Sequence, residues 1–385
     1  MSPARATIPS PHRPGRLGTA HWPTGDGPTV LDIFAGGGGL SLGFRSAGYR
    51  IIAAVDKDPV AAEVYRKNAP EVLFIGPTQD EPEQGDITVV DGVTLLTQAG
   101  VAEGKLDLLI GGPPCQGYSV IGQRKADDAR NLLYRQFVRL LDELRPQAFL
   151  FENVRGLIHA VDTNGVKVLD TLLSAFRALG YSATPHLIDA VNYGIPQYRQ
   201  RLFIVGTRDG SEITIPLSLP EAPIYVSVLD AIGDLPSTVS NLATLPYASE
   251  PESDYAKLLR GDTALAANSQ STKHDPKLIQ RLIAVAPGGK DEPTRHRRLD
   301  PAKPAWTLRA GTRRRTTCRP IHPAEHRVIT VREAARLSSF PDDFWLPEGK
   351  APAHMIIGNS VPPLLAHHLA IALATHVFTN HNPQQ

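Results

Sequence analysis

The chain has 385 residues, of which 42% are hydrophobic and 21% charged, and its formal net charge is +1. This composition excludes global disorder, and the length favours two or more structural units. No uninterrupted apolar run reaches the roughly 18 residues of a membrane helix, so no membrane partner is expected. Residues 1–28 are rich in Pro, Arg, Ser and Gly and lack a secretory apolar stretch, which predicts a flexible tail and a cytoplasmic protein.

From residue 29 onwards, short apolar runs alternate with segments of helical spacing. Strands are predicted at 30–34, 49–55, 106–110, 148–151 and 202–205, and helices at 40–47, 59–68, 132–144 and 166–179. Such alternation predicts an α/β fold with a doubly wound, mostly parallel sheet covered by helices on both faces.

After residue 208 the alternation fades, and only short helices at 331–337 and 364–377 are predicted. The shift in composition predicts a second, smaller and irregular domain. The expected division is a tail at 1–28, a main domain at 29–208 plus 354–378, and the smaller domain at 209–353.

A glycine cluster at 36–39 follows the first strand and opens a helix. Glycines let the backbone approach a ligand, and a helix N-terminus offers unpaired N–H groups. Asp56 ends the next strand, where a carboxylate commonly binds the ribose hydroxyls of a nucleotide-like cofactor. Together, the glycine cluster and Asp56 predict a nucleoside-containing cofactor. They fit a dinucleotide and S-adenosylmethionine equally.

Cys115 follows a buried strand in the segment 111–119 (GGPPCQGYS). Its Gly and Pro neighbours suit an exposed loop at the sheet edge where open α/β folds place ligands, although a lone cysteine is often a small buried hydrophobe. A reactive thiol also needs nearby positive charge or a helix terminus. Cys318 lacks such a setting and is expected to be structural. Two cysteines exclude a four-cysteine zinc site, and no metal is predicted.

Two further motifs lie near strand ends. Glu152 could serve as a general acid if burial raises its pKa, or it could form a helix-capping pair with Asn153. Arg199 and Arg201 share one side of an extended segment. Their guanidinium groups suit a phosphate, a carboxylate or a base carbonyl, or a surface salt bridge.

The near-neutral net charge hides a basic segment. Residues 295–319 contain nine Lys or Arg residues and one acid. Such a run is either a solvated surface or a contact for the phosphates of a nucleic acid, and the local excess favours the second interpretation.

Together these motifs resemble those of the C5-cytosine DNA methyltransferases, in particular the bacterial enzymes of restriction–modification systems. In the family's order they are 34–39 (FAGGGG), 113–116 (PPCQ), 152–154 (ENV), 197–201 (QYRQR), 332–341 (REAARLSSFP) and 358–363 (GNSVPP). The resemblance covers roughly residues 29–378. Ser338 departs from it, because the family usually has Gln there, and the departure puts that position's packing or hydrogen bonding in question.

The resemblance implies the Rossmann-like fold of class I S-adenosylmethionine-dependent methyltransferases, with the smaller domain as the target-recognition domain. It implies cofactor contacts for Phe34, Ala35, Gly36, Gly38, Gly39, Leu40, Asp56, Asp86, Ile87, Pro113, Asn359 and Val361. Phe34 would stack on the adenine, Asp86 would accept from its amino group, and Asp56 would bind the ribose.

The implied activity is methylation of C5 in a flipped-out cytosine of double-stranded DNA. Cys115 would add to C6 as the nucleophile, and Glu152 would supply the acid at N3. Arg201 would hold the cytosine O2, and Arg199 would order Glu152 or the target phosphate. DNA contacts are expected from Gln116, Tyr118, Ser119, Arg130, Arg313, Arg314 and Arg315. The expected protein is a nucleoid-associated monomer, with a cognate restriction endonuclease as a possible partner.

Three other functions remain open from the residues. An RNA cytosine methyltransferase could use the same scaffold. A nicotinamide-dependent oxidoreductase would explain the glycine cluster and Asp56 but not Cys115 or the arginine pair. A non-catalytic DNA-binding module could carry the same motifs without turning over a substrate.

Overall fold

The computed structural model describes residues 27–114, 133–219, 225–236, 241–310 and 319–378. A seven-stranded sheet forms its centre. The strands are β1 (Thr29–Ile33), β2 (Arg50–Val55), β3 (Leu73–Ile75), β4 (Leu108–Gly111), β5 (Ala148–Val154), β6 (Ser182–Asp189) and β7 (Gln200–Thr207), in the order β3-β2-β1-β4-β5-β7-β6. The first five are parallel, and β7 runs antiparallel between β5 and β6. The predicted mostly parallel sheet is confirmed.

Helices cover both faces of this sheet. They are α1 (Gly39–Ser46), α2 (Pro59–Asn68), α3 (Gly92–Gln98), α4 (Tyr134–Leu144) and α5 (Val168–Ala178). Phe44 of α1 and Val64 of α2 belong to one buried cluster, whereas Phe137 of α4 and Phe176 of α5 belong to another. Because both faces are covered, β1 is apolar and buried almost throughout. The doubly wound arrangement is therefore confirmed.

Three elements of the sheet region escaped the sequence prediction. Strand β3 has three residues and helix α3 has seven, which is too short for a clear periodic signal. Strand β6 lies at the sheet edge and is only partly buried. It contains Pro185, a residue that demotes a strand prediction but is tolerated on an edge strand.

The chain beyond the sheet forms short elements. They are α6 (Val228–Ile232), β8 (Thr244–Pro246), α7 (Asp254–Arg260), β9 (Leu265–Ala267), α8 (Pro276–Ile283), β10 (Arg297–Arg298), β11 (Pro320–Ile321), α9 (Val331–Arg336), α10 (Lys350–Asn359) and α11 (Pro363–Leu373). Strands β8 and β9 pair antiparallel, and β10 and β11 pair parallel. These two-stranded ladders agree with the weak periodicity of this region.

The end of the chain returns to the first helix. The Tyr49 hydroxyl donates to the carbonyl of Ala370 at 2.9 Å. Gly43 lies so close to α11 that a Cβ there would meet the Ala366 Cβ at 2.3 Å. Side chains of α9, α10 and α11 join the same buried cluster as those of α1 and α2.

The stretch Lys350–Phe378 is long and apolar enough to cross a membrane, with a mean hydropathy of 1.4. However, 61% of its apolar window is buried inside the protein, and residues 360–362 interrupt the helix. A core helix meets the same criteria of length and composition, and the packing of α11 on α1 is of that kind.

Candidate active site

The predicted functional side chains meet at one edge of the sheet. Asp56 and Pro113 follow the carboxyl ends of β2 and β4, and Glu152 lies near the end of the neighbouring β5. Strand β7 is antiparallel, so its first residues reach the same edge and bring Arg201 there. This is the edge at which open α/β sheets place their ligands.

Glu152 and Arg201 form an ion pair with 3.0 Å between Arg201 Nε and Glu152 Oε1. Glu152 lies opposite Phe203 in the ladder, which makes Arg201 its diagonal neighbour on the same face. Only 12% of the Glu152 side chain is exposed. Burial raises the pKa of Glu152, and this effect exceeds the opposing charges of Arg201 and Arg199. A carboxyl group with a raised pKa is suited to hold a proton for general acid chemistry.

The start of the predicted nucleophile loop lies against this pair. A Cβ on Gly112 would come within 2.9 Å of Glu152 Oε2, so the close approach requires glycine. Asn153 Nδ2 donates to the carbonyl of Pro113 at 3.1 Å. This agrees with a loop-shaping role for Asn153 and argues against helix capping, since Glu152 lies within β5.

Cys115 and all the predicted DNA contacts lie outside the described residues. They are Cys115, Gln116, Tyr118, Ser119, Arg130, Arg313, Arg314 and Arg315. The structure therefore positions the residues leading to the nucleophile and not the nucleophile itself.

Arg199 is almost completely buried, and its guanidinium group donates to three carbonyls. The acceptors are Gly358 at 2.9 Å, Ser360 at 2.8 Å and Leu308 at 3.3 Å. Arg199 thus joins the C-terminal motif to the segment before residue 311. Its positive charge lowers the pKa of Glu152, but no hydrogen bond between the two is among those described. The geometry favours ordering of the site over contact with a phosphate.

Gln197 is a site residue to which the sequence analysis gave no role of its own. It is fully buried, its Nε2 donates to Ser338 Oγ at 3.0 Å and to the Leu337 carbonyl at 3.1 Å, and its Oε1 accepts from the Leu308 N–H. Ser338, which departs from the family pattern, therefore has a defined hydrogen-bond partner. The signal was its motif, in which Gln197 shares a face with Arg199.

The glycine cluster forms a tight turn between β1 and α1. Gly36 and Gly38 have φ angles of +56° and +87°, which are left-handed values that favour glycine. Phe34, with φ at +58°, shares this uncommon region without being glycine, which marks the turn as constrained. Added Cβ atoms would meet Ile356 at Gly37 and the Val361 carbonyl at Gly39, both at 2.6 Å. The C-terminal motif therefore packs on the glycine turn.

The other predicted cofactor residues differ in burial and in hydrogen bonding. Asp56 Oδ2 accepts from the Gly36 N–H at 2.8 Å, and burial raises the pKa of Asp56. Asp86 accepts from the N–H and hydroxyl of Thr88, and these hydrogen bonds lower its pKa. Among the rest, Ala35, Leu40, Ile87, Pro113 and Val361 are buried, Phe34 is half-buried, and Asn359 is exposed at the end of α10.

Asp32, at the base of the turn, was not predicted as a site residue. Its Oδ2 accepts from the Ser41 hydroxyl at 2.6 Å, while its Oδ1 is buried with no described partner. Burial raises the pKa of Asp32 to about 7. A charged residue inside an apolar strand was the available signal. A buried carboxyl oxygen without a described partner, beneath a glycine turn, fits the ammonium group of the methionine part of S-adenosylmethionine.

The basic segment divides between structure and surface. Arg298 is buried and donates to the carbonyls of Leu282, Val285, His322 and Glu325. These hydrogen bonds organise the ladder of β10 and β11. Arg297 is exposed and stacks over Trp306, with its Cζ 4.3 Å from the ring centroid. The segment is thus only partly a solvated charged surface.

Comparison with known proteins identifies the arrangement. Residues 29–375 match the family model of C-5 cytosine-specific DNA methylases. The chain is 38% identical to the type II methyltransferase M.XorII of Xanthomonas oryzae, covering 88% of this chain and 82% of the relative. It is 33% identical to M1.HphI of Haemophilus parahaemolyticus, covering 90% and 86%.

A solved structure agrees with these relatives. The crystal structure of a protein described as a DNA modification methyltransferase encoded within an E. coli prophage is 29% identical, with a TM-score of 0.76. It covers 91% of this chain and 99% of that chain. The nicotinamide-dependent oxidoreductase is thereby excluded, and S-adenosylmethionine is the cofactor. The chain belongs to the C5-cytosine-specific DNA methyltransferases, in the group of restriction–modification enzymes.

Proposed function

We propose that this enzyme methylates one cytosine in a specific double-stranded DNA sequence through a covalent adduct with Cys115. We further propose that the mark protects the DNA from a cognate restriction endonuclease. The observation that carries the proposal is the buried Glu152–Arg201 pair against the first residues of the nucleophile loop. The relatives bear the names of type II methyltransferases, which supports the protective role.

The covalent step is needed because C5 of cytosine does not react readily with a methyl donor. C5 of cytosine is a weak nucleophile, and addition of the Cys115 thiolate to C6 makes it enamine-like. Negative charge then moves towards N3, where the Glu152 carboxyl group supplies a proton. Arg201, fixed by Glu152, would hold O2 of the base. S-adenosylmethionine supplies the electrophilic methyl group that C5 accepts. As C5 takes the methyl group, N3 returns its proton to Glu152, and loss of the C5 proton to a base then expels the Cys115 thiolate and restores the aromatic ring.

The cofactor residues act through shape and charge. We assign the amino-acid end of S-adenosylmethionine to the glycine turn, with Phe34 on the adenine. Asp56 would bind the ribose hydroxyls while it keeps the hydrogen bond from the Gly36 N–H, and Asp86 would accept from the adenine amino group. The remaining contacts are proposed for Ala35, Leu40, Ile87, Pro113, Asn359 and Val361. The glycine conformations and the hydrogen bond from Gly36 to Asp56 support this arrangement.

DNA is assigned to the loop after Pro114 and to residues 209–353 as the target-recognition domain. Gln116, Tyr118, Ser119 and Arg130 would close on the flipped cytosine, and Arg313, Arg314 and Arg315 would bind phosphates. The other assignments are residues 1–28 as a tail and 29–208 plus 354–378 as the catalytic domain. We propose that the enzyme acts in the cytoplasm as a monomer on nucleoid DNA.

The first experiment measures methyl transfer from labelled S-adenosylmethionine to unmethylated duplex DNA, followed by bisulfite sequencing. We expect label at C5 in one short sequence context, and none with Cys115→Ser. Cys318→Ser is the matched control and should retain activity. DNA containing 5-fluorocytosine in that context tests the adduct, because fluorine at C5 blocks the final elimination. A stable protein–DNA complex should then form with Cys318→Ser and not with Cys115→Ser.

Two results would contradict the proposal. Full activity of Cys115→Ser would exclude the covalent route. Absence of label on varied DNA, with cofactor binding intact, would redirect the search to RNA cytosine. The protective role is tested separately, by resistance of methylated plasmid to endonucleases that cut the marked sequence.

A further inference from the structure

A short loop at residues 85–91 carries Asp86 and leads into α3; we call it the Asp86 loop. Its first residue, Gly85, has φ at +89°, and a Cβ there would lie 2.4 Å from the Asp56 carbonyl. The loop therefore packs directly against the backbone of the residue assigned to the ribose. It lies in no strand, and its own backbone bonding is sparse, with the Val89 N–H donating to the Asp86 carbonyl at 3.1 Å.

Helix α4 holds this loop from the side. Arg139 Nη2 donates to the carbonyl of Ile87 at 2.8 Å and to that of Val90 at 3.0 Å. Glu143, one turn further along α4, accepts from the Gly92 N–H through Oε2 at 2.9 Å. The two side chains thus fix the loop at three points between Asp86 and the start of α3.

Arg139 is itself held in place. Its Nη1 pairs with Glu143 Oε1, and its Nε donates to Gln136 Oε1 at 2.8 Å. A guanidinium group is planar and offers five N–H donors in a fixed fork, so one side chain can satisfy all these acceptors. Arg139 and Glu143 are about one-third exposed, and neither is needed to fill the core. Their shared feature is the backbone of the Asp86 loop.

We propose that Arg139, braced by Glu143, is a positioning residue that sets Asp86 for recognition of the adenine amino group. The inference rests on the proposed role of Asp86. Asp86 Oδ1 accepts both hydrogen bonds from Thr88, whereas Oδ2 has only a 4.0 Å ion pair with the exposed Lys57 Nζ, so Oδ2 is the oxygen assigned to the adenine amino group. Its position depends on the loop backbone, which Arg139 fixes at the next residue, Ile87. Without Arg139 the loop would bind adenine with less selectivity.

The test compares two ligands that differ at one position of the purine. S-adenosylhomocysteine carries the 6-amino group, whereas S-inosylhomocysteine has a carbonyl oxygen there and its nearest N–H is on N1. A carboxylate placed for the 6-amino group therefore loses its donor and faces an oxygen. Calorimetry on the full chain measures both dissociation constants. We expect Arg139→Met to weaken adenosyl binding by about tenfold, the scale of one lost hydrogen bond. The dissociation constant of the inosyl ligand should hardly change, so the preference for the adenosyl ligand should be lost.

Three variants make the result specific. Asp86→Ala should abolish the same preference. Arg139→Lys should recover only part of it, because an ammonium group cannot reproduce the fork. Arg177→Met removes an exposed helical arginine from α5 and should leave both constants unchanged.

The possible failures are distinguishable. If Asp86→Ala keeps the adenosyl preference, the assignment of Asp86 is wrong, and the inference falls with it. If Asp86→Ala loses the preference but Arg139→Met keeps it, Arg139 does not position Asp86. Equal weakening of both ligands by Arg139→Met would likewise overturn the inference, since it would indicate general damage to the site.

Discussion

Two groups of buried charges in this molecule use the same residue types for different purposes. At the sheet edge, burial raises the pKa of Asp32, Asp56 and Glu152, and their hydrogen bonds and ion pairs do not compensate fully. A second group lies around α9. There, Arg336 bonds Asp342 through Nε and Nη2, both at 2.6 Å, and Asp234 through Nη1 at 3.1 Å.

In the second group, close partners outweigh burial for Glu333 and Arg336, whereas for Arg332 burial still lowers the pKa. Burial alone would raise the pKa of Glu333, yet hydrogen bonds from Arg327 lower it overall. Burial alone would lower the pKa of Arg336, yet Asp342 and Asp234 raise it. Incomplete pairing leaves a carboxyl group ready for a ligand or a proton, whereas complete pairing makes it part of the framework. The direction of the net pKa shift thus separates the carboxyl groups of Asp32, Asp56 and Glu152 from that of Glu333.

The sharpest test removes the charge of Glu152. Glu152→Gln keeps the shape and an oxygen that can accept from Arg201, but it cannot give a proton to N3. We expect kcat for methyl transfer to fall by about 10²- to 10⁴-fold, the usual contribution of a general acid. The midpoint of thermal unfolding should not fall, because a neutral group suits the buried position. A large loss of stability would instead place Glu152 with the framework charges.

The converse variant is Arg336→Met, which removes the arginine that hydrogen-bonds both buried carboxylates. Asp234 and Asp342 then keep only longer contacts to arginine, with Arg260 at 3.9 Å and Arg332 at 3.7 Å. Breaking such a pair typically costs about 3–5 kcal/mol in the free energy of unfolding. Denaturant titration of the ligand-free enzyme measures this loss. Arg177→Met is the exposed control and should be neutral.

The same contrast predicts a rescue. Adding Asp234→Asn and Asp342→Asn to Arg336→Met removes the stranded charges, and part of the lost stability should return. If Arg336→Met alone has no effect on unfolding, the network around α9 does not have the structural role assigned to it.

The sheet edge that carries the candidate site was predictable because each strand end can be recognised from a short stretch of sequence. The apolar runs before Gly36, Gly111 and Glu152 predicted strands, and strand ends of one parallel sheet necessarily meet. Asp56, Pro113 and Glu152 could therefore be placed together by their positions along the chain, whereas Arg201 reaches this edge at the start of the antiparallel strand β7. The boundaries of β1 and α2 were also predicted to within one residue, since α2 begins with Asp58 as its cap and a proline.

Contacts between distant parts of the chain were not predictable in this way. Gln197 and Ser338 are 141 residues apart, and Arg139 is 52 residues from Ile87. Neither pair follows from periodicity, because each depends on how loops pack after the strands are in place. Arg199 shows the same limit. Its motif indicated a charged function, whereas burial against the carbonyls of Gly358 and Ser360 gives it a bracing role.

Asp32 gives the smallest expected effect and tests the comparison through pH. Its folded pKa of about 7 lies above the ordinary value of 3.8 because the side chain is buried. Between these values the folded state binds more protons than the unfolded state, so stability falls as pH rises.

Asp32→Asn removes this dependence and keeps an oxygen for the Ser41 hydroxyl. Relative to the wild type, the free energy of unfolding of the variant should therefore increase by on the order of 2–4 kcal/mol between pH 4 and pH 7. Above pH 7 the difference should stay constant. Unfolding of both proteins without cofactor across this range measures the gain, and contributions from groups that do not interact with Asp32 cancel in the difference. Parallel stability curves would mean that Asp32 ionises freely in the folded enzyme and belongs with the compensated charges around α9.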